Sequence, residues 1–179
     1  MTDSASGAEI TTAPSRDETS ARGRPSLIAG RSNLPLDDRQ IRIVAETFSG
    51  FDYQVPFRYE DTARTSFRVE VNEFGNEEGI VVVGRDVFPG ASIIDPNSAL
   101  SMKAAVAHEI SHYYRWKDQT EFPELEYEYL DEALTSLDAS LRFPALSPHE
   151  LKQLVLDAIQ RIQIYRSHIH GSAAGNPST

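Results

Sequence analysis

The sequence contains no cysteine. Disulfide bonds are therefore excluded, and any metal site must be built from histidine, carboxylate or water ligands. The sequence also lacks a run of roughly 18 apolar residues, the length that a membrane-spanning helix needs. Residues 1–26 have no apolar segment of the kind that secretory signals contain. These absences predict a cytoplasmic protein without a membrane partner.

Basic residues are in the minority, since 17 Lys and Arg stand against 27 Asp and Glu, for a formal net charge of −10. This balance disfavours broad binding to nucleic acid or to anionic lipid. A local exception is Arg22-Gly23-Arg24-Pro25, which resembles the core of an AT-hook, a short arm that lies in the minor groove. Asp17 and Glu18 lie nearby and further basic residues are lacking, so we interpret this segment as a linker.

The domain organisation follows from composition. Residues 1–30 are rich in Ser, Thr, Ala and Gly and contain few large apolar side chains. We expect this segment to be disordered, because it can bury too little surface to offset its ordering entropy. One folded domain is predicted over residues 31–170, and a flexible tail over residues 171–179.

Periodicity predicts three short strands and four helices. The strands are Gln54–Tyr59, Ser66–Val71 and Ile80–Val83, with the last two antiparallel across a turn. The helices run from about Leu36 to Phe48 (ended by Gly50), from Asp95-Pro96-Asn97 to about Trp116, from Leu130 to Leu141, and from Ser147 to about Tyr165. We therefore predict an α+β fold, with a small antiparallel sheet packed on the second helix and a mainly helical C-terminal half.

Two of these segments have further consequences. A stripe of leucines on the third helix (Leu130, Leu134, Leu137 and Leu141) is expected to face the core. Ile80–Val83 fits either a core strand or a strand along which an extended peptide could pair.

The second helix carries His108-Glu109-Ile110-Ser111-His112. Residues four apart share a helix face, so both imidazoles can reach one zinc ion (Zn2+) at about 2.0–2.1 Å. Glu109 lies about 100° further round the helix and can approach a reacting water without displacing either histidine. This is the physical logic of the HExxH motif, in which the glutamate is the catalytic carboxylate.

A third metal ligand is needed, and Glu132 lies twenty positions after His112 on the following helix. The spacing resembles the gluzincin pattern HExxH-x19-E of thermolysin-type peptidases. The run from Glu132-Ala133-Leu134 to Pro144 is similar to the corresponding helix of small ImmA/IrrE-like metallopeptidases, and this resemblance covers about residues 95–150. It implies a minimal zincin-like fold with Glu132 as the third ligand and water at the fourth position.

The chain departs from these families on the third helix. Leu134 replaces the Asn that often follows Glu-Ala in the ImmA/IrrE-like enzymes, and Ser136 replaces the Asp of the thermolysin-type pattern. Support for the first histidine could therefore come from Asp131, Ser136 or Asp138.

Asp118 is an alternative third ligand if the second helix ends early. A full metzincin pattern would require Gly at position 115 and His at position 118, whereas the chain has Arg115 and Asp118. The sequence disfavours that family but leaves Asp118 as a rival to Glu132.

The resemblance implies zinc-dependent hydrolysis of peptide bonds by a specific intracellular endopeptidase, with a protein or peptide as substrate. Donors to the oxyanion could be Tyr127, Tyr129, His149 or His168. The alternative is a catalytically silent zinc-binding interaction or regulatory module, associated with DNA through its N-terminal arm. The intact Glu109 favours the enzyme, because a purely structural zinc site does not need that carboxylate.

Overall fold

The computed structural model describes residues 31–32, 34–52, 54–62, 64–90, 100–122 and 124–173. Over these ranges the elements are, in chain order, α1 (Asp38–Asp52), β1 (Phe57–Tyr59), β2 (Ser66–Val71), β3 (Glu77–Val83), α2 (Met102–Lys117), α3 (Glu128–Arg142) and α4 (Pro148–Ala173). This combination of a small sheet with longer helices confirms the predicted α+β class. The N-terminal segment 1–30, its AT-hook-like run and residues 174–179 lie outside the described residues.

The three strands form one mixed sheet in the order β1-β3-β2. The antiparallel pairing of β2 with β3 agrees with the prediction, with Ser66 opposite Val82 and Val71 opposite Glu77. However, β1 pairs with β3 in parallel. Since β3 is hydrogen-bonded on both sides, Ile80–Val83 is a core strand and cannot pair with a substrate. β2, which packs against α2, lies at one edge of the sheet, and β1 lies at the other.

Gly79 lies where β3 passes under the aromatic residues of β2 and α2. A Cβ atom at this position would lie 2.8 Å from Phe67 Cε2 and 2.8 Å from Trp116 Cζ3. Both rings are held in place by their neighbours, since Phe67 and Trp116 also pack on each other with ring centroids 5.8 Å apart. Glycine therefore allows the sheet to approach α2 closely.

We expect Gly79→Ala to destabilise the protein by about 1–3 kcal/mol, because the added methyl group overpacks this contact. The matched control is Gly50→Ala, where a Cβ meets nothing within 4 Å. That control should be neutral or stabilising by up to about 1 kcal/mol, because alanine is favoured inside a helix. Urea unfolding of both variants measures the difference, and a Gly79→Ala protein as stable as wild type would contradict the packing described here.

The helix with the two histidines, α2, begins at Met102 with Ser101 as its N-cap, whose Oγ accepts a hydrogen bond from the Ala104 amide at 3.1 Å. α2 therefore begins later than the predicted start at Asp95-Pro96-Asn97, because Leu100 and Ser101 are not helical, while residues 95–97 themselves lie outside the described residues. Val106 and Ile110, which lie four residues apart on one apolar face of α2, are fully buried. The polar residues His108, Ser111, His112 and Arg115 of α2 are also buried, because α3 and α4 pack against this helix.

The predicted core face of α3 is wrong. Leu141 is 86% exposed, and Leu130, Leu134 and Leu137 are only partly buried. The buried face carries mostly small and polar residues instead, namely Asp131, Ala133, Thr135, Ser136 and Ala139. Small side chains allow α3 to lie close to α2 and α4, and their polar groups meet buried polar partners there, which hydrophobic periodicity does not register.

The outer helices differ from prediction mainly at their ends. Gly50 does not end α1, which continues to Asp52. A capping box begins α4 next to the predicted start at Ser147, since the Ser147 amide donates to Glu150 Oε2 at 2.7 Å. However, α4 continues beyond Tyr165 to Ala173, three residues into the predicted tail. Within the described parts of the chain, none of the helices combines the length and the hydropathy required to cross a membrane.

Candidate metal centre

The candidate site lies between α2 and α3. His108 and His112 project from α2 and are 3% and 8% exposed, and Glu132 projects from α3. The rings of His108 and His112 lie one helical turn apart, with centroids separated by 4.9 Å and planes at 82°. The structure thus brings together the three residues that the sequence predicted as metal ligands.

The carboxylate of Glu132 bridges the two imidazoles. Its Oε2 lies 3.1 Å from His108 Nε2, and its Oε1 lies 3.3 Å from His112 Nε2. One ligand atom from each of the three residues can be chosen so that all lie within 4.8 Å of one another. In a tetrahedral zinc site with bonds of about 2.0–2.1 Å, neighbouring ligand atoms are about 3.3 Å apart. The spacing and the His₂Glu donor set therefore fit a zinc ion.

Asp118, the rival ligand, lies elsewhere. It is the C-cap residue of α2, and its side chain is 60% exposed and lies 3.8 Å from Arg142. It does not belong to either group of potential metal ligands among the described residues. The position of Glu132 therefore agrees with the gluzincin-like spacing, while its role as a ligand stays a prediction.

Each histidine has an acceptor at its second ring nitrogen. Nδ1 of His108 lies 2.9 Å from Ser136 Oγ, and Nδ1 of His112 lies 3.5 Å from Glu121 Oε1 and 3.4 Å from Thr135 Oγ1. A proton on Nδ1 leaves a lone pair on Nε2, the atom that faces Glu132. This is the tautomer in which a histidine binds a metal through Nε2.

Among the three residues proposed to support the first histidine, Ser136 is the one in contact with it. Asp131 instead accepts a hydrogen bond from Arg115 at 2.6 Å, and Asp138 pairs with Arg142 at 2.9 Å. The departure from the thermolysin-type pattern therefore leaves the histidine supported by a hydroxyl in place of a carboxylate.

Arg115 fixes the loop that carries Glu121. Arg115 lies on α2 and its charged side chain is buried. Its guanidinium donates to Asp131 Oδ1 at 2.6 Å and to the Thr120 carbonyl at 2.7 Å. Asp131 Oδ1 also accepts from the Phe122 amide at 2.9 Å. These contacts hold Glu121 beside His112. A second set of potential metal ligands consists of His112, Glu121 and Asp131. Because Asp131 is already hydrogen-bonded to Arg115 and to the Phe122 amide, this set is an unfavourable metal site.

Glu109 lies between the metal ligands and the sheet. Its Oε2 accepts a hydrogen bond of 2.8 Å from the amide of Phe67 in β2. Burial raises the pKa of the Glu109 carboxyl, although His108 and His112 oppose the shift. A carboxyl group whose pKa is raised towards neutrality is suited to accept and return a proton.

The charges of the site favour a cation at the histidines. Burial opposes a charged His112, but Glu132, Glu121 and Glu109 together raise its pKa to about 10. Conversely, burial opposes ionisation of Glu132, but the two histidines hold its pKa well below its usual value. Carboxylates thus outnumber the imidazoles here, and a proton or a divalent metal ion can balance them.

A cavity of about 270 Å³ opens at these residues. Besides His108, Glu109, His112 and Glu132, its lining includes several side chains that can donate to a substrate, among them Tyr129 and Arg161. The lining does not include the other three predicted oxyanion donors, Tyr127, His149 and His168, among the described residues. Sequence reasoning missed Arg161, whose only signal was an i,i+4 spacing from Asp157, common to surface ion pairs.

Neither a protein-family model, nor a curated protein, nor a solved structure matches this chain.

Proposed function

We propose that this protein is a zinc-dependent peptidase that acts in the cytoplasm on a specific protein or peptide substrate. His108, His112 and Glu132 would hold the metal, and Glu109 would be the catalytic carboxylate. The proposal rests on one observation, the convergence of both histidine Nε2 atoms on the Glu132 carboxylate at 3.1 and 3.3 Å, with Glu109 directly following His108. The similarity of the spacing to gluzincins and ImmA/IrrE-like enzymes supports it.

When bound, zinc supplies Lewis-acid polarisation of water and of the scissile carbonyl. Glu109 accepts a proton from the attacking water while the water oxygen bonds to the carbonyl carbon. Glu109 then donates that proton to the amide nitrogen as the carbon–nitrogen bond breaks, which releases an amine and a carboxylic acid. The Phe67 amide, which donates a hydrogen bond of 2.8 Å to Glu109 Oε2, orients this carboxylate. Tyr129 and Arg161 are the donors we assign to the developing oxyanion.

We expect purified protein to bind about one zinc ion per chain after zinc loading and dialysis. His108→Ala and His112→Ala should each lose this zinc, because each removes a ring that faces the shared carboxylate. His149→Ala is the matched control, since His149 contacts Gln153 on α4 at 3.1 Å and does not line the cavity. Elemental analysis gives the stoichiometry, and wild-type protein that holds no zinc would refute the proposal.

Peptidase activity is distinguished from the silent zinc module by a second measurement. Zinc-loaded protein is incubated with a library of proteome-derived peptides, and mass spectrometry identifies new termini. Termini that arise with wild type but not with Glu109→Gln support the peptidase. Stoichiometric zinc without any cleavage favours the interaction module.

A further inference from the structure

Asp157 is a buried carboxylate on α4 that does not contact the proposed metal site directly. It is 2% exposed. Its Oδ2 accepts two hydrogen bonds, one of 2.6 Å from Ser136 Oγ on α3 and one of 2.7 Å from Arg161 Nε on α4. Each of these donors contacts a different predicted metal ligand.

The first arm leads to His108. Because the Ser136 hydroxyl gives its proton to Asp157, its oxygen can only accept from the ring nitrogen that lies 2.9 Å away, His108 Nδ1. Asp157 therefore sets the direction of the Ser136 hydroxyl. That direction keeps the proton of His108 on Nδ1 and leaves the Nε2 lone pair for a metal.

The second arm leads to Glu132. Arg161 is 12% exposed, and its Nη1 lies 3.0 Å from Glu132 Oε2, the oxygen that also faces His108. Asp157 holds the same guanidinium through Nε. The rotamer of Arg161, and with it the orientation of the Glu132 carboxylate, thus depends on Asp157.

These contacts form a closed ring of hydrogen bonds and ion pairs across three helices. It runs from His108 through Ser136, Asp157, Arg161 and Glu132 back to His108. We propose that Asp157 is the positioning residue of the metal site, which orients His108 through Ser136 and Glu132 through Arg161. This inference rests on the proposed metal site but adds a residue from α4, far from the HExxH motif in sequence.

The energetic cost of Asp157 supports a role beyond packing. Its second oxygen, Oδ1, is buried and has no hydrogen-bond partner among the described residues. A buried carboxylate that is incompletely satisfied is destabilising relative to a well-packed apolar side chain. Its two strong bonds both point towards metal ligands, so the site is what benefits from it.

The test is the zinc affinity of Asp157→Asn, measured by competition with a chromogenic chelator. The amide has the same shape but no charge, and it cannot order both arms as the carboxylate does. We expect affinity to fall by about 10- to 100-fold, the usual effect of altering a group behind a metal ligand. The visible absorption spectrum of the cobalt-substituted protein should change as well, since it reports ligand geometry.

Asp138→Asn is the matched control. Asp138 also pairs with an arginine four residues later on a helix, with Arg142 Nε at 2.9 Å, but it does not line the cavity. This variant should keep the wild-type affinity and cobalt spectrum. Thermal unfolding of the metal-free proteins separates a loss of fold from a loss of metal geometry.

Ser136→Ala, which deletes one hydroxyl, keeps the proposal testable if Asp157→Asn does not fold. It should lower zinc affinity several-fold, and in a folded double variant the two effects should be less than additive, because Asp157 acts partly through Ser136. Wild-type affinity and an unchanged cobalt spectrum in Asp157→Asn, or in Ser136→Ala where only that variant folds, would overturn this inference alone. Wild-type protein that does not bind zinc would instead refute the proposed function on which the inference rests.

Discussion

Glu109→Gln is expected to keep its zinc and to lose peptide hydrolysis by about 10²- to 10⁴-fold, the usual contribution of a general acid–base group. The substitution conserves shape, and the amide oxygen of glutamine can still accept the hydrogen bond of 2.8 Å from the Phe67 amide. It cannot accept a proton from the attacking water. The two histidines and Glu132 are unchanged, so metal binding should persist.

The measurement combines elemental analysis with initial rates on a peptide identified from the library experiment. Glu46→Gln, a change of an exposed glutamate on α1, is the control and should leave both zinc content and rate unchanged. Wild-type rates in Glu109→Gln would show that this carboxylate is not the base. Loss of zinc would mean instead that Glu109 supports the metal site itself.

The central part of the site is predictable because it depends on local geometry. His108, Glu109 and His112 belong to one helix, whose periodicity fixes their relative directions before any tertiary contact forms. β2 is predicted with its correct ends, Ser66 and Val71, because alternation over six residues is a strong strand signal. Glu132 was found by its spacing from His112, which resembles that of known families.

The supporting residues are not predictable in this way, because tertiary packing brings them together. Glu121 reaches His112 only because Arg115 and Asp131 fold the loop back, and Asp157 reaches Ser136 only because α4 packs on α3. The same packing explains the error on α3. Its leucine stripe suggested the core face. The face that meets α2 and α4 instead carries Asp131, Thr135 and Ser136, whose polar groups form hydrogen bonds with other buried side chains.

Glu132→Ala should weaken zinc binding more strongly than a change behind a ligand does. Changing a residue that only hydrogen-bonds to a metal ligand lowers metal affinity by about 10- to 100-fold. Glu132 is the residue whose carboxylate faces both histidines, at 3.1 and 3.3 Å. Its removal also deletes the negative charge beside Arg161, whose Nη1 lies 3.0 Å from Glu132 Oε2. That guanidinium keeps its bond to Asp157 but loses the carboxylate that lies between it and the histidines, so the variant loses both a ligand and a negative charge beside the metal.

Asp118→Ala is the control that decides between the two predicted third ligands. Its side chain is 60% exposed and lies 3.8 Å from Arg142, so its removal should leave zinc affinity nearly unchanged. Glu132→Gln separates the two causes, because it removes the charge but keeps an oxygen that can bind the metal, and it should fall between wild type and Glu132→Ala. Strong zinc loss in Asp118→Ala with little loss in Glu132→Ala would overturn the His₂Glu assignment, because a ligand with a bond of about 2 Å cannot be removed without a large effect on affinity.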